Sequence, residues 1–177
     1  MSHFVIQDAL YTAKLVSELE RLAIEQLNGP SMMLMKRAGR AAFDELIEAF
    51  GKPSLITVFC GSGNNAGDGY IVATLAAEKS IPVRIVELAS EGKLSADAAV
   101  ARDYALSAGV TMQSDDGSIE LSEGVIVDAL LGTGTKGPMR AAYVAAIDRI
   151  NRAGLPVLAI DLPSGLYADS GAIAEVA

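Results

Sequence analysis

Leu55-Ile56-Thr57-Val58-Phe59-Cys60 runs directly into Gly61-Ser62-Gly63-Asn64-Asn65-Ala66-Gly67-Asp68-Gly69-Tyr70. The first part is short, apolar and β-branched, which suits a buried strand. The second is a glycine-rich loop opening into a helix, predicted over residues 68–79. Glycines let backbone N–H groups approach a ligand closely, and the helix start presents a positive end to an anion. Gly61-Ser62-Gly63-Asn64-Asn65-Ala66 satisfies the dinucleotide fingerprint, with Glu87 about where a ribose-binding acid would stand. Alone, that match is weak.

The same alternation continues downstream. Residues 82–88 read as a second strand, and Ser95 caps a helix running to residue 108, with Gly109 as its stop. Residues 110–113 form a short strand and Asp115-Asp116-Gly117 a turn. Residues 125–129 are the next strand, Pro138 starts a helix reaching residue 152, and residues 156–160 are the last strand. Upstream lie two helices. Thr12 caps the first, whose Leu15, Val16, Leu19, Leu22, Ala23 and Leu27 recur at helical spacing until Asn28-Gly29-Pro30. The second carries Met32, Met33, Met35, Ala38, Ala42, Phe43, Leu46 and Ile47 and stops at Gly51-Lys52-Pro53; core packing accounts for its methionines better than a promiscuous binding surface. Strands alternating with helices predict an α/β fold, a Rossmann-like three-layer αβα arrangement with a mostly parallel sheet.

Composition narrows the function. The chain has 177 residues, 51% of them hydrophobic, and a net charge of −8. That charge repels polyphosphate, so nucleic acid is not an expected partner. The single cysteine, Cys60, rules out an internal disulfide and fits a reducing, cytoplasmic setting. Cysteine and histidine counts exclude the usual zinc sites. A Ser–His–Asp triad would have to use His3, in the N-terminal segment, and is not expected. Met1-Ser2-His3-Phe4 has no basic stretch ahead of an apolar run, and no segment is long and apolar enough to span a bilayer, so neither signal peptide nor membrane partner is expected.

Ligands of such sheets sit beyond the carboxyl ends of the strands. Three polar, glycine-bearing segments fall there. In the first, Asp68 would repel a phosphate resting on the helix start; it either caps the helix or meets the ligand. Asn64 and Asn65 either shape a turn or offer amide oxygens to a cation or polar ligand. The second is Asp128-Ala129-Leu130-Leu131-Gly132-Thr133-Gly134-Thr135-Lys136-Gly137-Pro138. Asp128 ends an apolar strand and needs a partner, either a cation or backbone N–H groups. Lys136 either touches phosphate or is solvated. The third is Asp161-Leu162-Pro163-Ser164-Gly165-Leu166. Its rigid turn aims Asp161 into a cleft and makes it the best acid/base candidate, against the reading of a turn-forming aspartate. Ser164 either ligates a cation or caps the turn; no histidine is available to make it a nucleophile.

Taken together, these segments resemble the NAD(P)H-hydrate epimerase family, the YjeF N-terminal domain. The most specific element is Gly63-Asn64-Asn65-Ala66-Gly67-Asp68-Gly69. The segments starting at Asp128 and Asp161 match too, as do Leu10-Tyr11-Thr12-Ala13 and Leu34-Met35-Lys36-Arg37-Ala38-Gly39. The resemblance implies an isomerase that interconverts the R and S forms of NADHX and NADPHX, in which water has added to C6 of the reduced nicotinamide. A partner dehydratase then restores the S form to NAD(P)H. The resemblance also implies one potassium ion, held here by Asn65, Asp128 and Ser164. Substrate would contact Asn64, Asn65, Ala66, Gly67, Asp68, Gly132, Thr133, Gly134, Thr135, Lys136, Gly137, Pro138 and Asp161. A homodimer is expected. Two departures stand out: Ala66 occupies a position where the family usually has glycine, and the family's domain normally continues past the point where Ala177 ends this chain. The chain therefore reads as one domain, residues 1–177, truncated at its C-terminal end. The alternatives are a non-catalytic dinucleotide- or protein-binding module of the same fold, which would not need Asn65, Asp128, Asp161 and Ser164 together, and an NAD-dependent dehydrogenase, which would need a hydride-transfer base that is not evident.

Overall fold

The computed structural model describes residues 11–27, 31–88, 93–135 and 137–177. The sheet has five strands, all parallel: β1 (Ile56–Cys60), β2 (Val83–Glu87), β3 (Thr111–Ser114), β4 (Val125–Ala129) and β5 (Val157–Ala159). Their spatial order is β3-β2-β1-β4-β5. The helices are α1 (Ala13–Leu27), α2 (Met32–Phe50), α3 (Asn64–Glu78), α4 (Ala96–Ser107) and α5 (Ala141–Arg152).

The alternation along β1 sets the layers. Ile56, Val58 and Cys60 point into a core shared with Met35, Phe43 and Leu46 of α2, Ile71 and Leu75 of α3, and Ala101 and Ala105 of α4. Phe59 points the other way, into a second core with Ile126 of β4 and Tyr143, Ala146, Ile147 and Ile150 of α5. Period-two alternation in a central strand thus fills both sides of the sheet. The chain leaves β1 through α3 for one edge and β4 through α5 for the other. β1 and β4 are neighbours, with Cys60 beside Ala129, so a crevice opens beyond their carboxyl ends.

The capping expectations hold at α1 and α4. Thr12 Oγ1 accepts from the Leu15 N–H at 3.3 Å, and Ser95 Oγ from that of Ala98 at 3.4 Å. Gly51, with φ of 68°, ends α2. Two helix starts differ from expectation. α3 begins at Asn64, four residues before Asp68, because the extended Gly63 serves as its N-cap. Asp68 is therefore not a cap. α5 begins at Ala141 rather than Pro138: Gly137 has φ of 71°, which turns the chain, and extended Arg140 occupies the N-cap.

The early start of α3 changes what its glycines do. Gly67 sits against the Met35 side chain, and a Cβ on Gly69 would stand 2.6 Å from that of Ala129. On α2, a Cβ on Gly39 would stand 2.6 Å from that of Ile71. These glycines let α2, α3 and the sheet approach one another, a packing role that a loop reading misses.

Candidate functional site

The crevice between β1 and β4 widens into a cleft of 980 Å³, a volume suited to a small-molecule ligand. Asn64, Asn65 and Asp68 come to it from α3, and Gly132, Thr133, Gly134, Thr135 and Pro138 from the loop after β4. Asp161 enters from the loop after β5. Three segments far apart in sequence therefore meet at one rim. Ala66 and Gly67 are buried and do not line the cleft, because the helical start turns them toward the core. Gly137 also lies off the cleft and accepts a 3.0 Å hydrogen bond from the Tyr167 hydroxyl. Lys136 lies outside the described residues, as do His3, Leu10 and the Asn28-Gly29-Pro30 helix stop.

Asp161 is exposed to the cleft. Its Oδ2 accepts from the Thr133 N–H at 2.7 Å, which ties the β5 loop to the β4 loop. A Cβ on Gly132 would stand 2.5 Å from that oxygen and 3.4 Å from the Asn65 Cβ. Glycine at 132 thus leaves room for the carboxylate between the two loops.

Below the rim lies a buried polar cluster. Asp128 and Ser164 are 6% and 2% exposed. Asp128 Oδ1 accepts from the Ser164 hydroxyl at 2.7 Å and the Leu130 N–H at 3.1 Å, and its Oδ2 accepts from the Ser164 N–H at 2.8 Å. Ser164 Oγ in turn accepts from the Leu131 N–H at 2.9 Å. Asn65 donates through Nδ2 to the Leu131 carbonyl at 2.9 Å. Its Oδ1 is buried and has no hydrogen-bond partner among the described residues. An orphaned buried oxygen is costly unless something satisfies it. Burial pushes the Asp128 carboxyl above its ordinary range, against the hydrogen bonds from Ser164 and Leu130 that pull it down. Amide, hydroxyl, carbonyl and carboxylate oxygens together suit a hard cation.

Asp68 is the other perturbed acid. It is half-buried on the second turn of α3, and its pKa is pushed up to about 7, first by burial, then by Asp161 and Glu20. The folded state holds this proton longer than the unfolded chain does. The associated stability is full below pH 4 and is lost as pH rises through about 7. Asp68→Asn keeps a neutral side chain throughout. It should therefore gain on the wild type between pH 4 and 7, by on the order of 4 kcal/mol at about 1.4 kcal/mol per pH unit. Urea unfolding of both proteins across that range measures the gain; a constant difference would show that Asp68 ionises normally.

Glu87 does not offer its carboxylate to a ribose. Arg102 holds it at 2.6 Å and the Tyr70 hydroxyl at 2.7 Å, between α3, α4 and β2. The Asn64 Oδ1 is likewise occupied, by the Ser95 hydroxyl at 2.8 Å. Sequence reasoning missed the cleft's α1 and α5 walls: Val16, Ser17 and Glu20, and Arg140 and Tyr143. Glu20 did carry a signal, since it falls on the helical row of Ala13, Val16 and Ala23, an acid on an otherwise apolar face.

A parallel sheet ordered β3-β2-β1-β4-β5, with a polar cleft at its switch point, defines a doubly wound α/β domain with its crevice beyond β1 and β4. The pattern of one family extends over residues 31–177. The chain belongs to that family, described as YjeF-related protein N-terminus. It is 34% identical over 175 residues to an NAD(P)H-hydrate epimerase of Rhodopirellula baltica, covering 97% of this chain and 71% of that protein. It is 41% identical to a bifunctional NAD(P)H-hydrate repair enzyme of Coxiella burnetii, covering 93% of this chain but only 33% of that longer protein. The crystal structure of the yeast protein YNL200c superposes with a TM-score of 0.81 at 22% identity, covering 94% of this chain and 75% of that one. That likeness supports the fold.

Proposed function

We propose that this chain is an NAD(P)H-hydrate epimerase, an isomerase that interconverts the R and S forms of hydrated NADH and NADPH. The observation that carries the reading is Asp161, held by the Thr133 N–H with its carboxylate in the cleft, in a chain 34% identical to a protein of that name. The reaction needs one carbon, C6 of the reduced ring, to become planar and close again. In one route a proton passes to the C6 hydroxyl, water leaves, and the ring nitrogen's lone pair forms a C=N bond; water then adds to either face and returns the proton. In the other, the hydroxyl loses its proton as the C6–N bond opens to an aldehyde, and reclosure restores it. Either route is redox-neutral and needs one group that both gives and takes a proton. Asp161 fills that role, and a positioned group of this kind contributes roughly 10²- to 10⁴-fold. Asn64, Asn65, Asp68, Gly132, Thr133, Gly134, Thr135 and Pro138 line the space around the ring and its ribose. The test is whether purified chain brings pure R and pure S samples to the same epimer ratio without a change in redox state.

The orphaned Asn65 oxygen supports a potassium ion held by Asn65, Asp128 and Ser164. A bound cation would fix the geometry of the three loops that carry the cleft. Potassium at about 100 times its Kd should stabilise the chain by roughly 2.7 kcal/mol. A thermal-unfolding comparison of potassium with choline chloride, at one ionic strength, measures this. Asn65→Leu should abolish the difference, and an unchanged response in that variant would remove the ion from this cluster. The bifunctional relatives carry this domain as about a third of their length, which supports work alongside the dehydratase that consumes the S form.

A further inference from the structure

Two adjacent asparagines open α3, and their neighbours turn the two amides in opposite senses. Asn65 gives its Nδ2 to the Leu131 carbonyl at 2.9 Å and keeps a buried Oδ1 with no partner among the described residues. Asn64 does the reverse. Its Oδ1 accepts from the Ser95 hydroxyl at 2.8 Å, and its Nδ2 has no hydrogen bond among the described residues. Asn64 is exposed and lines the cleft. An amide whose oxygen is engaged has its N–H groups to offer there.

Ser95 lies 31 residues downstream of Asn64, outside the three segments that carry the rest of the site, and is the N-cap of α4. Its hydroxyl is used twice. A lone pair accepts from the Ala98 N–H at 3.4 Å, and the single proton goes to Asn64. Turning the Asn64 amide over would set two donors on one oxygen and leave the hydroxyl proton without an acceptor. The Ser95 main chain is held as well, its N–H donating to the Ser62 carbonyl at 3.0 Å. Gly67 lets α3 and α4 close together here, since a Cβ on it would stand 3.3 Å from the Ala98 Cα. The hydroxyl is therefore held in place by more than its own bond to Asn64.

We propose that Ser95 is a positioning residue for the substrate: its hydroxyl locks the Asn64 amide so that the NH2 group is offered to the cleft, where it donates to an oxygen of the dinucleotide. This assignment rests on the dinucleotide reading above. Through Ser95 the α4 cap acts on a cleft that none of the described α4 residues lines.

The test measures KM and kcat for R-NADHX epimerisation and the calorimetric Kd for NADH. The proteins are wild type, Ser95→Ala, Ser95→Thr, Asn64→Ala and the double variant Ser95→Ala with Asn64→Ala. Ser95→Ala frees the amide to rotate, and ordering it again on binding should raise KM and Kd roughly three- to fivefold, with kcat changing less than about twofold. Asn64→Ala loses the hydrogen bond itself and should weaken binding roughly fivefold or more. In the double variant, Ser95→Ala should add nothing to that loss. The cap gives a separate signal: Ser95→Ala should lower the unfolding midpoint by roughly 2–4 °C in both backgrounds. Ser95→Thr keeps the hydroxyl and should bind within about twofold of wild type. Unchanged binding in Ser95→Ala, an equal loss with and without Asn64, or a loss in Ser95→Thr as large as in Ser95→Ala would each overturn the proposal. ADP-ribose, which has the pyrophosphate but no nicotinamide, locates the acceptor. A Ser95→Ala loss shared by ADP-ribose puts that oxygen on the pyrophosphate or the riboses, and one confined to NADH puts it on the carboxamide. A wild type that binds NADH without converting R-NADHX would bring down the epimerase reading and leave the proposal to the NADH affinities. A wild type that does neither would bring down both.

Discussion

Asp161→Asn should bind ligand about as well as the wild type and turn over roughly 10²- to 10³-fold more slowly. Asparagine keeps an oxygen to accept from the Thr133 N–H, now at 2.7 Å from the carboxylate, so the loop geometry is preserved. What the amide cannot do is take up and return a proton at C6. The loss should therefore appear in kcat and leave KM and the dissociation constant nearly unchanged. Single-turnover rates and calorimetric affinity separate the two. A variant within threefold of wild-type turnover would assign the proton transfer to another group, of which Asp68 stands nearest in chemistry.

Gly61→Ala should cost about 3 kcal/mol of stability, the upper part of the range for an added methyl with no room. The Gly61 N–H donates to the Ala129 carbonyl at 3.1 Å, joining β1 and β4 just where the crevice begins. A Cβ there runs into the Leu130 carbonyl oxygen, and main chain cannot swing aside as a side chain can. At roughly 2–4 °C per kcal/mol for a domain of this size, the unfolding midpoint should fall by about 6–12 °C. Gly63→Ala is the control. Nothing lies within 4 Å of a Cβ at that position, and the change should cost no more than about 1 kcal/mol, from the altered cap. Equal effects at the two positions would mean that close approach of the backbones is not what Gly61 provides.

The order of elements was legible because strands and helices differ in period. Ile56, Val58 and Cys60 against Phe59 show the sheet's two faces in the residues themselves. Residues before Pro53 follow helical spacing instead. Helix starts were less legible. Gly61, Gly63, Gly67 and Gly69 look alike in sequence, yet Gly61 meets a neighbouring strand, Gly63 caps a helix, and Gly67 and Gly69 pack inside that helix. Only the partner across the gap distinguishes these uses. The same limit applies to the cleft. Acids and glycines at strand ends could be read as a group, because the fold rule brings strand ends together. Arg140 and Tyr143 could not, because their place at the rim depends on where α5 starts, and Gly137 moved that start by three residues. Glu87 shows the converse: its position suits a ribose, but Arg102 and Tyr70 occupy it.

The measurement that bears most directly on the central claim is chromatographic. Pure R-NADHX is incubated with the purified chain in potassium buffer, and the appearance of S-NADHX is followed against the uncatalysed rate and against Asp161→Asn. The account predicts a clear acceleration with wild type, loss of nearly all of it in the variant, and no change in redox state. Conversion at the uncatalysed rate by a folded wild type that binds ADP-ribose would contradict it, and would make this cleft a binding site and not a catalytic one.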